Sequence, residues 1–152
     1  ISNPEYKLEV TESSAMNPVI CCLYVEGQEE SKIMLNILEK LADKFKHIKF
    51  VKIVGQECIP NYKDSYCPTL VIYKDTNPVG NIKGLYAFGG KKIINENIVE
   101  WNIAKTTGIW KTTLESDPSK KFKINKISKG SSNNQTKFST NNNNNNDDSD
   151  DS

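Results

Sequence analysis

The side chains in this sequence that could do chemistry are four cysteines, Cys21, Cys22, Cys58 and Cys67. A cysteine pair that exchanges electrons with a substrate disulfide is typically spaced as CxxC, and structural zinc sites repeat that spacing. Neither spacing occurs in this chain. Cys21 and Cys22 are adjacent on a predicted strand, so their side chains face opposite ways and share neither a disulfide nor a metal ion. We therefore expect reduced thiols, at least one of them buried.

The sequence also lacks the residues for a catalytic site or a metal site built on several histidines. His47 is the only histidine, so catalytic triads and multi-histidine metal sites cannot be assembled. We expect it in the turn between a helix and a strand. The sequence therefore predicts no catalytic residue, no metal ion and no cofactor.

The elements that must position the cysteines are organised around Pro68. Proline lacks a backbone donor, so Pro68 opens a strand and does not interrupt one. The apolar run at 70–73 follows it, and a turn-forming segment at 75–78 ends it. This pattern predicts a strand that begins at about Thr69 and is buried on both faces.

Two more strands and a helix are predicted upstream. Residues 19–25 are continuously apolar, like a central strand, and residues 48–54 form a second strand. The segment between them has helical spacing over about three turns. A strand, a helix and a strand in this order form a βαβ unit with parallel strands. The apolar helix positions are Ile33, Met34, Ile37, Leu38, Leu41, Ala42 and Phe45.

One further strand and one helix are predicted after the strand that Pro68 opens. Residues 82–88 are expected to form a strand, in which Gly84 indicates a bulge or a close approach. Asn95 or Asn97 can cap a last helix, and Gly108 would stop it. The whole order resembles the thioredoxin fold, an α/β fold with a central mixed sheet and helices on both faces. Pro68 resembles the cis proline of that fold.

In thioredoxins, the turn after the first central strand presents CxxC at the start of a helix, where the helix dipole lowers the thiol pKa. The same register places Gln28, Glu29, Glu30 and Ser31 on the four motif positions. Cys22 stands where redox-active thioredoxins carry a buried acid. The nucleophile, the second thiol and the base are thus all replaced, and acidic residues at a helix start are what a purely structural N-terminus favours.

Cys67 leaves a redox alternative open. It precedes the presumed cis Pro68 and is expected beside Gln28 and Ser31, where a single exposed thiol can form mixed disulfides. Without a second thiol in reach it cannot turn over as a dithiol oxidoreductase. A bond between Cys58 and Cys67 has no support from their spacing.

The composition changes near residue 119. A lysine-rich run at 120–129 is followed by an asparagine run at 141–146 and an acidic end at 147–151. Such a segment buries too little apolar area to offset the entropy cost of ordering it. We predict a thioredoxin-like domain at 1–118 and a disordered, low-complexity tail at 119–152.

Several short segments resemble the phosducin-like proteins. They are ISNPEY at 1–6 with EVT at 9–11, CIPNY at 58–62 with PT at 68–69, FGG at 88–90, EW at 100–101, and the TGI, TLE and final proline of 107–118. The resemblance covers nearly all of residues 1–121. It is greatest to the branch called phosducin-like protein 3, or viral IAP-associated factor. Because the sequence begins with Ile1, we expect a further N-terminal region, which in these proteins is helical.

The resemblance implies a non-enzymatic role. Its members are co-chaperones that bind the cytosolic chaperonin CCT and modulate the folding of actin, tubulin or related clients. Two alternatives stay open: a one-cysteine redox protein that uses Cys67, and a Gβγ-binding signalling regulator such as phosducin itself.

Charge and hydropathy narrow the classes of partner. The net charge of +1 gives no overall attraction to nucleic acid or membranes. No apolar run approaches the roughly 20 residues that a membrane span needs. We therefore expect no nucleic acid and no membrane as partners. The resemblance to the phosducin-like proteins implies protein partners and a cytoplasmic location. The oligomeric state stays open.

Overall fold

A computed structural model of the chain describes residues 1–118, so the predicted tail at 119–152 lies outside the described residues. Contacts divide the chain into two units, Ile1–Thr113 and Leu114–Ser152. The described part of the second unit contains no strand. The predicted domain boundary at residue 118 stays a prediction.

The first unit contains four α-helices and four strands among the described residues. A π-helical turn, Lys7–Glu12, and a 3-10 turn, Ser13–Ala15, follow the first helix. The elements are α1 Asn3–Tyr6, β1 Val19–Tyr24, α2 Glu29–Lys44, β2 Lys49–Val54, α3 Gly55–Cys58, β3 Thr69–Lys74, β4 Asn77–Lys83 and α4 Glu96–Thr107.

The four strands form one mixed sheet in the order β2-β1-β3-β4. Strands β1 and β2 are parallel, whereas β3 runs antiparallel to both β1 and β4. Cys22 lies opposite Leu70 on β3 and Lys52 on β2. The predicted βαβ unit and the predicted mixed sheet are therefore confirmed.

Helices α2 and α4 cover one face of the sheet. Ile20, Cys22, Leu70 and Ile72 point from the strands into this core, where they are fully buried. The helices contribute the amphipathic faces that their spacing predicts. The buried helix residues in this core are Met34, Ile37, Leu38, Leu41, Ile98, Val99 and Ile103.

A second apolar cluster fills the opposite face. Its strand residues include Cys21, Leu23 and Ile53, and Val10 packs on them from the N-terminal helical segment. Cys21 and Cys22 thus lie in different cores, as the alternation of side chains along a strand predicts.

A buried carboxylate of α4 forms hydrogen bonds both with the end of α2 and with the segment that follows α4. Glu100 is fully buried, and it accepts hydrogen bonds from Lys44 Nζ at 2.7 Å and Thr112 Oγ1 at 2.6 Å. The indole N–H of Trp110 donates to the Glu100 backbone carbonyl at 3.1 Å. The Trp110 ring stacks on Phe45 with 4.1 Å between ring centroids.

The predicted strand at 82–88 is wrong in its bounds, because β4 runs from Asn77 to Lys83 and a 3-10 turn, Tyr86–Phe88, follows it. The chain reverses in two residues, Asp75 and Thr76, which have φ angles of +53° and +67°. Pro78 therefore lies inside β4. This is an edge strand, where a missing backbone donor is tolerated.

The expectation for Gly84 is wrong as well. Gly84 follows the strand with a φ of +72°, and a Cβ there would meet no atom within 4 Å. The close approach occurs at Gly80, where a Cβ would lie 2.9 Å from Thr107 Cγ2 of α4. The register irregularity of this hairpin lies between Ile72 and Tyr73.

The last helix has the predicted ends. The Asn95 side chain accepts a hydrogen bond from the Ile98 backbone N–H at 2.9 Å, and Gly108 takes a left-handed conformation with a φ of +68°. Among residues 1–118, no helix has both the length and the apolar character needed to cross a lipid bilayer.

Candidate functional site

The four predicted motif positions form the start of α2, directly after β1. Gln28 is the N-cap residue, in an extended conformation, and Glu29 and Glu30 occupy the first turn. Ser31 is buried beneath them with 1% of its surface exposed. The two outer positions, Gln28 and Ser31, therefore carry polar side chains that are not thiols.

Gln28 and Ser31 are committed to hydrogen bonds with the framework. The Ser31 hydroxyl donates to Gln28 Oε1 and accepts from the Val25 backbone N–H at 3.1 Å. Gln28 Nε2 donates to the backbone carbonyl of Asp64 at 3.0 Å. These contacts tie the end of β1, the start of α2 and the loop before β3 together.

Cys67 and Pro68 lie beside the Asp64 carbonyl that accepts the hydrogen bond from Gln28. The peptide bond between them is cis, as the sequence predicts. The backbone N–H of Cys67 donates to the Asp64 carbonyl at 3.0 Å, so one oxygen accepts from both Gln28 and Cys67. The structure thus brings the predicted positions at 28–31 and 67–68 together.

The Cys67 thiol is buried, with 4% of the residue exposed, so the expectation of an exposed thiol is wrong. A Cβ placed on Gly55 would lie 2.9 Å from Cys67 Sγ, which shows that the absence of a side chain at Gly55 makes room for the sulfur. Burial, and secondly the negative charge of Asp64, raise the pKa of the Cys67 thiol. The thiolate is the reactive form, so this environment suppresses thiol chemistry.

The pKa values of the other three cysteines are raised as well, although Cys58 is only partly buried. Burial raises the pKa of Cys21 to about 12 and also raises the pKa values of Cys22 and Cys58. All four cysteines are free thiols, so no bond joins Cys58 to Cys67. None of the four thiols has the lowered pKa of a catalytic cysteine.

Histidine and carboxylate side chains do not form a metal site in the described part of the chain. Within residues 1–118, no three His, Cys, Asp or Glu side chains are grouped as a metal ion would require. His47 lies between α2 and β2, as predicted, and its ring meets that of Phe45 edge-on at 6.4 Å.

A groove lies beside the start of α2. Its volume is about 710 Å³, and it runs between α2 and the edge strand β2. Apolar and charged side chains both line it, among them Tyr24, Gln28, Lys32, Leu38 and Phe50. The groove therefore offers a mixed surface next to Gln28.

Sequence reasoning missed a basic and aromatic cluster near Pro68. Lys63 Nζ and Lys83 Nζ lie 5.8 Å and 4.7 Å from the centroid of the Tyr66 ring. Tyr66 is exposed, and Tyr86, shortly after β4, is 91% exposed. No spacing signals this cluster, because only the pairing of β3 with β4 brings Lys83 towards Tyr66.

The sheet order, the strand directions and the proline-led strand facing the start of α2 define a thioredoxin-like domain that lacks the cysteine pair. A solved structure of Fasciola hepatica thioredoxin is similar to it, with a TM-score of 0.48 and 16% identity over 62% of this chain and 86% of that one. No protein-family model matches the chain.

Curated relatives place the domain more closely. Phosducin-like protein 2 of Dictyostelium discoideum is 39% identical over 118 residues, which is 78% of this chain and 48% of the relative. Phosducin-like protein 3 of Mus musculus is 34% identical over 120 residues, 79% of this chain and 49% of the relative. The chain belongs to the phosducin-like protein family. It spans about half the length of the curated relatives it matches.

Proposed function

We propose that this chain is a non-catalytic binding module, a co-chaperone that binds the cytosolic chaperonin CCT and modulates the folding of actin, tubulin or related clients. Membership of the phosducin-like family supports this role. The observation that carries the proposal is the chemistry at the start of α2. Gln28 and Ser31 occupy the positions of a reactive pair and are hydrogen-bonded into the framework.

The remaining thiol near this site supports the same proposal. Cys67 is buried and its pKa is raised, so it has neither the access nor the thiolate form that exchange with a substrate disulfide requires. What this end of the domain offers a partner is surface: the exposed first turn of α2, the groove beside it and the loop that leads to Pro68. We infer that the domain acts by recognition in the cytoplasm.

Capture of purified chaperonin by the immobilised 152-residue chain tests the proposal. A thioredoxin with an intact CxxC pair is the control, because it has the fold but not the sequence of this chain. We expect the chain to retain chaperonin at micromolar protein and the thioredoxin to retain none. Absence of a complex, or equal retention by both proteins, would overturn the proposal.

A further inference from the structure

Two lysine side chains converge on one exposed tyrosine at the end of the sheet. Lys63 Nζ lies 5.8 Å and Lys83 Nζ lies 4.7 Å from the centroid of the Tyr66 ring. Both lysines are exposed, and Tyr66 has 38% of its surface exposed. We call these three residues the Tyr66 patch.

The Tyr66 patch has positive charge without a matching anion. Among the described residues, neither Lys63 nor Lys83 forms an ion pair. The side chain of Asp64, next in the chain to Lys63, accepts a hydrogen bond from Gln56 Nε2 at 3.3 Å. The face of an aromatic ring attracts each ammonium group, but two cations on one ring repel each other. An anionic group that reaches both would relieve the repulsion.

The Tyr66 patch adjoins the candidate site. Tyr66 directly precedes Cys67, and Lys83 lies opposite Thr69 in the pairing of β3 with β4. The next residue, Gly84, donates its backbone N–H to the carbonyl of Pro68 at 2.8 Å. A segment bound at the patch would therefore lie beside the loop that holds Gln28 in place.

We propose that the Tyr66 patch binds an acidic, extended segment of a partner protein. The inference rests on the proposed binding function and specifies its chemistry. Carboxylates on alternate residues of an extended peptide are about 7 Å apart and face the same way, so one peptide can present a carboxylate to each lysine. Nucleic-acid affinity depends on the number of phosphates that lysine and arginine neutralise, and the patch supplies two cations on a chain with a net charge of +1. A peptide fits better.

Fluorescence anisotropy with defined probes tests this inference. The probe is a labelled short peptide with glutamate at alternate positions. The control peptide has glutamine at the same positions. The variant K63Q/K83Q removes the two charges of the patch. The matched control K40Q/K74Q removes two exposed charges from α2 and from the far end of β3. Circular dichroism of both variants checks that they fold.

We expect the glutamate peptide to bind in the high micromolar range and the glutamine peptide to bind at least about threefold more weakly. K63Q/K83Q should weaken binding of the glutamate peptide about three- to tenfold, while K40Q/K74Q changes it less than twofold, because each exposed ion pair contributes little. Equal losses in the two variants, no binding, or equal binding of a single-stranded oligonucleotide of the same charge would overturn the inference.

Chaperonin capture with the same two variants separates this inference from the proposed function. If K63Q/K83Q retains chaperonin as well as the unmodified chain does, the Tyr66 patch is not the contact and the inference fails while the proposed function stands. Selective loss in K63Q/K83Q supports both. If the unmodified chain captures no chaperonin, the proposed function fails, and the peptide titration still decides whether the patch binds acidic segments.

Discussion

Gln28 and Cys67 donate hydrogen bonds to the same carbonyl oxygen, that of Asp64, each at 3.0 Å. We propose that position 28 corresponds to the position of the attacking sulfur in a redox-active domain of this fold. Here an amide makes a fixed structural contact in its place. On this proposal, the chain keeps the framework of a thiol site and has other groups where the reactive ones would lie.

Restoring the cysteine pair should show whether positions 28 and 31 correspond to CxxC. In Gln28→Cys/Ser31→Cys, the helix N-terminus should lower the pKa of the first thiol and allow an intramolecular disulfide. Thiol titration and mass spectrometry after oxidation measure both. The control Glu29→Cys/Lys32→Cys has the same spacing one residue later and should form less disulfide. Equal behaviour of the two pairs would contradict the assignment.

The native chain should show no dithiol oxidoreductase activity. Cys67 is buried and its pKa is raised, so insulin reduction should stay at the background rate. Thiol labelling at about pH 7.5 should modify Cys58, which is partly exposed, well before Cys67. Turnover of insulin above background, or rapid labelling of Cys67 in the folded chain, would revive the one-cysteine alternative.

The Ser31 hydroxyl should stabilise the folded chain, because it accepts the hydrogen bond of the Val25 backbone N–H. Ser31→Ala removes the acceptor of the Val25 N–H, and an unsatisfied backbone donor costs about 1–3 kcal/mol where it is buried. Urea denaturation measures the loss in free energy of unfolding. Ser65→Ala, at an exposed position in the 3-10 turn Asp64–Tyr66, is the control and should change the free energy of unfolding by less than about 0.5 kcal/mol. A loss no greater than that control would show that the Ser31 hydroxyl is dispensable.

Removing Lys44 should reduce the free energy of unfolding more than removing the charge of Glu100, although the two residues form one ion pair. Lys44→Met leaves a carboxylate that is 0% exposed without its cation, which costs about 3–5 kcal/mol. Glu100→Gln leaves Lys44, whose side chain is 45% exposed and can turn to water, so about 1–3 kcal/mol is expected. Lys46→Met breaks only the exposed contact with Asp43 at 3.9 Å and should cost almost nothing. The reverse order of losses would contradict this account of the pair.

Stability should fall as the solution becomes alkaline. Burial raises the pKa of Cys21 to about 12 and raises those of Cys22 and Cys67, whereas an unfolded thiol titrates near 8.5. Above about pH 8.5 the unfolded chain loses these protons while the folded chain keeps them. The free energy of unfolding should then fall by up to about 1.4 kcal/mol per pH unit for each thiol.

Urea denaturation under reducing conditions between about pH 7 and pH 9.5 measures this effect. Cys21→Val should reduce the slope by about the share of one thiol, because it removes one titrating group and keeps the core filled. A free energy of unfolding that is independent of pH over this range would show that the thiols are not protected by burial.

Local signals predict the framework well. The βαβ unit and the strand after Pro68 follow from continuous apolar runs and helical spacing, and Asn95 and Gly108 mark the ends of α4 by their own side-chain and backbone chemistry. Strand β4 was misplaced because a two-residue turn lets the strand resume at Asn77, and its edge position tolerates Pro78.

The parts of the site that were missed depend on tertiary contacts. The burial of Cys67 depends on the missing side chain of Gly55, which is distant in sequence. Lys83 reaches Tyr66 only through the pairing of β3 with β4. The Asp64 carbonyl that accepts hydrogen bonds from Gln28 and Cys67 is a backbone group. The residue type at position 64 therefore does not predict this contact.

The central claim is that the chain binds chaperonin without thiol chemistry. A titration of purified chaperonin against the fluorescently labelled 152-residue chain tests it most directly, and the variant Gln28→Cys/Ser31→Cys is titrated in the same way. The account predicts saturable binding at micromolar concentration that does not depend on thiol redox state in the native chain. Absence of saturable binding, together with insulin reduction by the native chain, would contradict it.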